Sequence, residues 1–431
     1  MNLEYFIARR VAASGQQSFS RLIIRIAISA VALSVAVMIV ATSLIAGFKH
    51  EISSKIFGFW GHIHITAVDI SRNLIDTDPV KKAQPFYYAL DTVRSIEYLE
   101  QTEIGGAVYE QMKRTKGGIS HIQSFALIPV IIKAEKDIEG IVLKGIGDDF
   151  EWTFMDQYLV EGRRIQLDSA EISNEIIISK QTANRLDLNL GDRFEVVFVR
   201  DREQLKRRFT IAGIYKTGLE EYDQRFALVD IRQLQRLMGW KEDEVGGFEV
   251  FVEHIEDLQT IEEYIFFEQL PQELYAENIE RKLPEIFDWL ELQDINEVVI
   301  LMLMVIVAII NMVTALMILI LERTNMIGTF KALGSSNWSI RKVFLYYAAY
   351  IIVIGLFWGN LIGIGLCVLQ DQFEIIRLSE ENYYLSVAPI QMKFWTILAI
   401  NIGTLLVTVL FLVIPSYLVT RISPVKAIRF K

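Results

Sequence analysis

The sequence predicts a multi-pass α-helical membrane protein with four transmembrane helices and a large α+β domain inserted between the first and the second. Three observations lead to this fold class. Hydrophobic residues make up 52% of the 431-residue chain, and the mean hydropathy is +0.32. Four stretches lack any charged side chain for longer than the roughly 20 residues that cross a bilayer. A long acidic segment separates the first of these stretches from the other three. The four stretches are residues 26–48, 298–321, 343–370 and 394–420.

A secretory signal peptide is the alternative interpretation of the first apolar stretch, residues 26–48. A signal peptide has an apolar core of about 7–15 residues, which is shorter than residues 26–48, and no obvious cleavage site follows here. We therefore expect a transmembrane helix. Within residues 1–25, Leu3, Phe6, Ile7 and Val11 share one helical face. This pattern predicts a helix lying in the inner membrane interface, with a frayed leader as the alternative.

The distribution of basic residues predicts the orientation in the membrane. Residues 1–25, 322–342 and 421–431 together carry 12 lysines and arginines against Glu4 and Glu322. Cytoplasmic loops concentrate lysine and arginine. We therefore expect both termini and the 322–342 loop in the cytoplasm, and residues 49–297 and the loop 371–393 on the far side. The four spans then follow a one-plus-three arrangement around the exported domain.

The exported segment, residues 49–297, alternates strand and helix patterns, which indicates α+β subdomains rather than one large parallel sheet. From residue 283 to 294 an amphipathic helical pattern runs into the second span and predicts a stalk. The single cysteine, Cys367, lies inside the third span, so the exported domain folds without disulfides. The acidic balance of this segment excludes nucleic acid as a partner. The predicted elements are strands at 62–66, 140–145, 175–178, 193–199, 207–216, 226–229 and 248–253, helices at 180–186, 231–239 and 255–270, and a turn at Leu190-Gly191-Asp192.

A search for catalytic motifs predicts a non-catalytic chain. The sequence has no phosphate-binding Gly-x-x-x-x-Gly-Lys-Ser/Thr loop, no Gly-x-Ser-x-Gly and no His-Glu-x-x-His. His62 and His64 share a face of a predicted strand, as metal ligands do, but no cysteine or carboxylate stands at ligand spacing. The acidic pairs Asp148-Asp149 and Glu220-Glu221 are interpreted as solvated surface. We expect no catalytic residue, cofactor or metal in this chain.

The third span carries Gly355, Gly359 and Gly363 at four-residue spacing. Small residues at this spacing let a second helix approach closely, so we expect them to serve helix packing. The first span carries two such pairs of small residues, Ala30 with Ser34 and Ala32 with Ala36. No charged residue lies in the middle of a span, which argues against a proton or ion pathway.

The stretch ERTNMIGTFKALGSSNWSIRKVF, residues 322–344, predicts a short helix between two spans. Met326, Ile327, Phe330 and Leu333 form an apolar stripe at helical spacing. Gly334 fits a helix end with positive φ, and Ser335 or Ser336 fits the cap of the next helix. The helix is either a docking element for a soluble partner or a membrane-surface connection.

Several segments in this order resemble one family. These are FIARRVAASG and GFKHEISSKIFGFWGHIHI near the start, IVLKGIG, EIIISKQTANRLDLNLGD and IAGIYKTGLEEYDQRFALVDI in the exported domain, ERTNMIGTFKALGSS in the loop, and IPSYLVTRISPVKAIRF at the end. The chain resembles permease subunits of the lipoprotein-releasing ABC system, the LolC/LolE group, within the wider class of MacB-like and FtsX-like permeases.

The resemblance implies a permease subunit of the bacterial inner membrane that releases lipoproteins by mechanotransmission. ATP and Mg²⁺ would bind a separate ATPase subunit. Two permease subunits, identical or different, would pair with two ATPase subunits, and the lipoproteins would pass to a periplasmic carrier. The loop helix would be the coupling helix that docks the ATPase, through Asn325, Met326, Ile327, Phe330, Lys331, Leu333 and Gly334.

The resemblance also implies a lipid-contacting surface on the first two spans. Its candidates rest on position and apolarity: Val37, Met38, Ala41, Met302, Val305 and Ile309. An FtsX-like regulator of a cell-wall hydrolase and a MacB-like exporter subunit are the alternative functions within the same class. A passive surface receptor is a further alternative, but it leaves the cytoplasmic helix unexplained.

Overall fold

The computed structural model describes residues 4, 18–68, 78–104, 107–133, 138–167, 171–200, 203–379 and 385–422. The predicted interfacial helix at residues 1–25 lies mostly outside these residues, and so does most of the predicted tail, 421–431. Residues 18–25 form the start of the first long helix. The helices are α1 Ser18–Trp60, α2 Pro85–Asp91, α3 Thr153–Tyr158, α4 Lys180–Arg185, α5 Glu220–Arg225, α6 Ile231–Met238, α7 Leu258–Tyr264, α8 Ile279–Lys282, α9 Pro284–Glu322, α10 Thr324–Ala332, α11 Asn337–Phe373, α12 Phe394–Ser416 and α13 Leu418–Arg421.

The strands are mostly short and fall between α1 and α8. They are β1 Ile63–Ala67, β2 Val80–Lys81, β3 Glu97–Ile104, β4 Ala107–Arg114, β5 Ile119–Lys133, β6 Ile138–Ile146, β7 Leu159–Gly162, β8 Glu175–Ser179, β9 Arg193–Arg200, β10 Glu203–Tyr215, β11 Phe226–Asp230, β12 Glu244–Val245, β13 Gly247–Val252 and β14 Leu274–Asn278.

The chain divides into two compact units. A helix unit consists of Met1–Glu51, Asp288–Arg377 and Val387–Lys431, and a sheet unit consists of Ile52–Phe287 and Leu378–Ser386. In the helix unit, α1, α9, α11 and α12 are each long and apolar enough to cross a membrane. One of these helices precedes the strands in the chain and three follow them.

In the sheet unit, one mixed sheet of ten strands runs in the order β14-β1-β13-β5-β6-β11-β8-β10-β7, with β9 pairing to β10 and β5. β8 with β10 and β6 with β11 are parallel, and the remaining pairs of this sheet are antiparallel. The prediction of an α+β rather than a large parallel arrangement is confirmed. The strands share one continuous sheet, because β5 is long enough to pair with β13 along its first half and with β6 and β9 along its second.

Local chemistry explains the elements that the sequence predicts correctly. In β8 the three isoleucines Ile176, Ile177 and Ile178 are fully buried, and Ser179 then caps α4 by accepting a hydrogen bond from Thr182 N at 3.0 Å. The predicted turn contains Gly191 at φ +87°, which glycine adopts without steric cost.

The predicted helix 255–270 is in fact three consecutive segments. A 3₁₀ turn spans Ile255–Asp257, α7 follows, and a π-helical turn closes it over Ile265–Gln269. Strands β3 and β4 pair with each other as a hairpin, and β5 follows them; none of the three was predicted.

Candidate functional site

The loop between α9 and α11 contains the short helix α10. It begins at Thr324, directly after Arg323, and ends at Ala332. Gly334 has φ +88°, and Ser335 N donates to Phe330 O at 2.9 Å, which closes the helix in a left-handed glycine cap. Ser336 then caps α11 by accepting from Ser339 N at 3.2 Å. The predicted helix end and the predicted cap are confirmed.

One face of α10 packs on the chain's own helices. Ile327 is 0% exposed and belongs to the core of the helix unit. Met326 and Phe330 are half-buried against the same core. The apolar stripe seen in the sequence is therefore largely occupied within this chain, and Ile327 is closed to any partner.

Lys331 connects α10 to α13, the short helix that follows the fourth long helix, and to the residue after it. Its ammonium donates to the carbonyl oxygens of Val419 at 2.7 Å and Ile422 at 2.8 Å. Carbonyls at the end of a helix lack intrahelical partners, and a cation there also complements the helix dipole. Partial burial lowers the pKa of Lys331. This side chain holds the loop helix in place.

The outward surface of the loop is made of other residues. Leu333 is 77% exposed and Trp338 is 51% exposed. Asn325, Thr329 and Gly334 are exposed as well. We call Asn325, Thr329, Leu333, Gly334 and Trp338 the outer loop surface.

Trp338 was missed in the sequence. The Arg341 guanidinium lies 5.1 Å from its ring centroid and 3.7 Å from that of Tyr417. Arg341 Nε donates to Ser416 Oγ at 3.1 Å, and the side chain is buried. The sequence feature that could have identified Trp338 is its spacing from two cations, Arg341 and Lys342, three and four positions later. Side chains at this spacing lie close together on a helix. Trp338 is therefore exposed and yet held in orientation.

The glycines of α11 lie against α1. A Cβ at Gly355 would stand 2.7 Å from Val31, one at Gly359 would stand 2.8 Å from the Ala32 carbonyl oxygen, and one at Gly363 would stand 3.1 Å from Ala36. The two helices thus approach to backbone distance along this line. A side chain at Gly355 or Gly359 would require a neighbouring atom of α1 to move, and one at Gly363 would be in tight contact with α1.

The six candidates for a lipid-contacting surface fall in different environments. Met302 is 60% exposed, and Val305 and Ile309 are half-buried. Val37 and Ala41 are half-buried too. Met38, however, is 1% exposed and contributes to the core of the helix unit rather than to its surface.

The two histidines of the sheet unit have structural contacts. His62 Nδ1 accepts from Val252 N at 3.2 Å. His64 Nε2 lies 2.6 Å from Trp60 O, and its Nδ1 lies 3.2 Å from Lys282 Nζ. Burial lowers the pKa of His62 to about 4 and that of His64 well below its usual value. Within the described part of the chain, no three histidine, cysteine, aspartate or glutamate side chains cluster as metal ligands.

The acidic pairs take part in local hydrogen bonding. Asp149 accepts from Ser124 Oγ at 2.8 Å, and Asp148 pairs with Lys82 at 3.0 Å. Glu221 pairs with Arg225 one helical turn away at 3.2 Å.

Comparison with known proteins shows two family matches in this chain. Residues 26–265 match the family described as the MacB-like periplasmic core domain, and residues 298–424 match the family described as the FtsX-like permease C-terminal domain. The second match contains the loop helix and the last three long helices.

Three curated relatives match over nearly their full length. The lipoprotein-releasing system transmembrane protein LolC of Xylella fastidiosa (strain 9a5c) is 21% identical, covering 100% of this chain and 98% of that protein. LolC of Haemophilus influenzae is 21% identical, covering 99% and 98%. LolE of the same organism is 20% identical, covering 99% and 99%.

Proposed function

Because this chain belongs to the family with a MacB-like periplasmic core domain, here followed by an FtsX-like permease C-terminal domain, we propose that it is the membrane permease subunit of an ABC-type complex that releases lipoproteins from the bacterial inner membrane. The observation that carries the proposal is the full-length similarity to LolC and LolE proteins. In this proposal a separate subunit binds ATP and Mg²⁺ and hydrolyses the ATP.

The outer loop surface is the proposed contact with that ATPase subunit. It includes Leu333, which is 77% exposed, and Trp338, which is 51% exposed and whose indole lies over the Arg341 guanidinium. Tryptophans that become buried in a complex are frequent energetic anchors of protein interfaces, and Trp338 is the candidate anchor here. Lys331 and Ile327 support the surface from behind, because they tie α10 to the rest of the helix unit.

The proposed topology places both termini and α10 in the cytoplasm and the sheet unit in the periplasm. It follows from the basic residues of segments 1–25, 322–342 and 421–431, which cytoplasmic loops concentrate. The similarity of residues 26–265 to a family described as periplasmic supports it.

Mechanical transmission in this proposal uses α1 and α9. α1 has 43 residues and α9 has 39, so at about 1.5 Å per residue each is roughly twice as long as a hydrocarbon core of about 30 Å. At and beyond the ends of the apolar stretches, side chains of the two helices contact each other. Lys49 and Asp294 pair at 2.6 Å, and the rings of Phe48 and Trp289 meet edge to face at 5.4 Å. We propose that this stalk moves as a unit.

The ATPase contact is tested with Leu333→Asp. The variant places a charge in a contact that is apolar in the proposed complex, so we expect at least about a tenfold loss of ATPase subunit retained on the tagged chain purified in mild detergent. The matched control is Ile255→Asp, an exposed apolar position in the sheet unit, where full retention is expected. Phe330→Asp is a poorer probe, because Phe330 packs on this chain's own core. Undiminished ATPase on the Leu333→Asp chain contradicts the docking assignment.

The stalk is tested with Trp289→Ala. This substitution removes the aromatic contact between Trp289 of α9 and Phe48 of α1. We expect ATP hydrolysis by the reconstituted complex to persist while the amount of lipoprotein released per ATP falls several-fold. Tyr88→Ala, which truncates a 76% exposed ring in the sheet unit, should change neither quantity. A Trp289→Ala complex with normal release per ATP would rule out this contact as a transmission element.

A further inference from the structure

The helix unit contains a small polar cavity beside the start of α12, where α1 and α9 run past it. The cavity measures about 120 Å³. Its wall is well defined, because Gln391 N donates to Ser43 O at 2.9 Å and a Cβ at Gly47 would lie 2.5 Å from Pro389 O. The polar residues that line it are Thr42, Ser43, Glu297, Gln391, Lys393 and Thr396.

The cavity holds one acid and one base that do not pair. Glu297 of α9 and Lys393, which precedes α12, both line it, and among the described residues neither forms an ion pair. Their neighbours Lys49 and Asp294 do pair, at 2.6 Å. Burial raises the pKa of Glu297 and nearby Asp294 raises it further, while the charges of Lys49 and Lys393 lower it. A cation bound within hydrogen-bonding distance of Glu297 would stabilise its carboxylate form.

The Lys393 side of the cavity is suited to an anion. Lys393 is the residue before the first turn of the 23-residue helix α12, and no side chain caps this helix start. The first intrahelical hydrogen bond of α12 is donated by Ile397 N to Lys393 O at 3.1 Å, so the N–H groups of residues 394–396 lack helical partners. Free N–H groups and the helix dipole bind phosphate, and the Thr396 hydroxyl adds a donor.

The position of the cavity along the helices identifies the ligand class. Glu297 is the last charged residue before the apolar stretch 298–321, and Lys393 is the last before 394–420. Phe394 and Trp395 are 71% and 77% exposed, as in the aromatic belts of membrane interfaces. In the topology of the proposed function, on which this step rests, the cavity lies at the headgroup layer of the outer leaflet.

We propose that this cavity binds the headgroup of a zwitterionic phospholipid with a primary amine, phosphatidylethanolamine. The ammonium would face Glu297, and the phosphate would face Lys393, Thr396 and the start of α12. A small N–H-bearing ammonium fits both the volume and the hydrogen-bonding capacity of the carboxylate. A choline group is bulkier and has no N–H donor, and a glycerol headgroup carries no cation for Glu297.

The test is lipid binding to the full-length chain in mild detergent, measured by native mass spectrometry with phosphatidylethanolamine, phosphatidylcholine and phosphatidylglycerol of equal chain length. We expect phosphatidylethanolamine to bind at least about tenfold more tightly than either other lipid. Glu297→Gln and Lys393→Gln should each abolish this preference. Glu291→Gln, at an exposed acid on the same helix, should retain it.

Equal binding of the three lipids, or a preference that survives Glu297→Gln, would overturn the proposal and leave the cavity as a packing void. A preference for phosphatidylglycerol would also overturn it, because it would mean that the α12 start acts as a simple anion site. Should one variant fail to fold, the selectivity of the unaltered chain decides. The assay uses no ATPase and no lipoprotein, so its failure leaves the ATPase-docking and lipoprotein-release proposals standing.

Discussion

Lys144→Met is expected to remove about 3–5 kcal/mol from the stability of the sheet unit, the usual cost of breaking a buried ion pair from one side. Lys144 is 1% exposed and Glu249 is 0% exposed, and they pair at 2.7 Å. The Lys144 ammonium also donates to the carbonyl oxygen of Phe59 at 2.5 Å. Burial lowers the pKa of Lys144, and the Glu249 carboxylate opposes that shift.

The loss is large because the buried Glu249 carboxyl would lose its cation. Burial raises the pKa of Glu249 and Lys144 lowers it, so without Lys144 the folded chain must bury an unpaired charge or take up a proton on Glu249. Its other hydrogen bond, from Gln123 Nε2 at 2.7 Å, does not neutralise it. The same substitution removes the hydrogen bond from Lys144 to the carbonyl oxygen of Phe59, at the end of α1. The free energy of unfolding of natural domains is only about 5–15 kcal/mol, so the substitution removes a substantial part of it.

Hydrogen–deuterium exchange of the full-length chain in detergent measures this effect on the amides of β5, β6 and β13. The double variant Lys144→Met with Glu249→Gln should recover part of the protection, because no buried charge is then left unpaired. Lys116→Met provides the surface control. It breaks a pair with Glu256 at 2.7 Å in which both side chains are about two-thirds exposed, a type of pair worth at most about 1 kcal/mol. Equal exchange in Lys144→Met and Lys116→Met would contradict this account of the core.

Gly359→Leu is expected to have the second large effect, in the helix unit. A Cβ at this position lies 2.8 Å from the Ala32 carbonyl oxygen and from Val35 Cβ. The carbonyl is backbone and cannot rotate away, so α1 and α11 must separate. Overpacking of this kind costs about 1–3 kcal/mol, and here it also opens the contact that small residues make possible between membrane helices.

The matched control is Gly365→Leu on the same helix, where nothing lies within 4 Å of the added Cβ. Thermal unfolding of the full-length chain in detergent should show a lower midpoint for Gly359→Leu. Gly365→Leu should unfold at or above the midpoint of the unaltered chain, because leucine is the better helix former. A midpoint for Gly359→Leu equal to that of Gly365→Leu would show that the glycine line is not a close helix contact.

The features that the sequence predicts well depend on local composition. Charge-free length reveals α1, α9, α11 and α12, because a bilayer requires about 20 apolar residues whatever their partners. The roles of Gly334 and Ser336 could be predicted, because a helix often ends at a glycine with positive φ and often starts after a side chain that accepts a backbone hydrogen bond. Strand β8 could be predicted because it is a short apolar run bounded by polar residues.

The features that the sequence does not predict depend on contacts between distant residues. The periodicity of α10 shows an apolar stripe but not which structure covers it, so Ile327 could not be recognised as part of this chain's own core. Lys331 looked free because its carbonyl partners lie in α13. Strand β5 was missed partly because it contains Pro129, and a proline usually argues against a central strand. Lys144 and Glu249 stand in β6 and β13, which flank β5 in the folded sheet and are far apart in the chain.

The central claim is that this chain couples ATP hydrolysis by a separate subunit to the release of lipoproteins. The most direct measurement purifies the complex through a tag on this chain, reconstitutes it in proteoliposomes with an acylated lipoprotein, and follows lipoprotein appearing in the soluble fraction. The account predicts release that requires ATP, stops with a non-hydrolysable analogue and is lost in Leu333→Asp. Copurification of an ATPase with a cell-wall hydrolase and no ATP-dependent lipoprotein release would contradict it and favour the FtsX-like regulator.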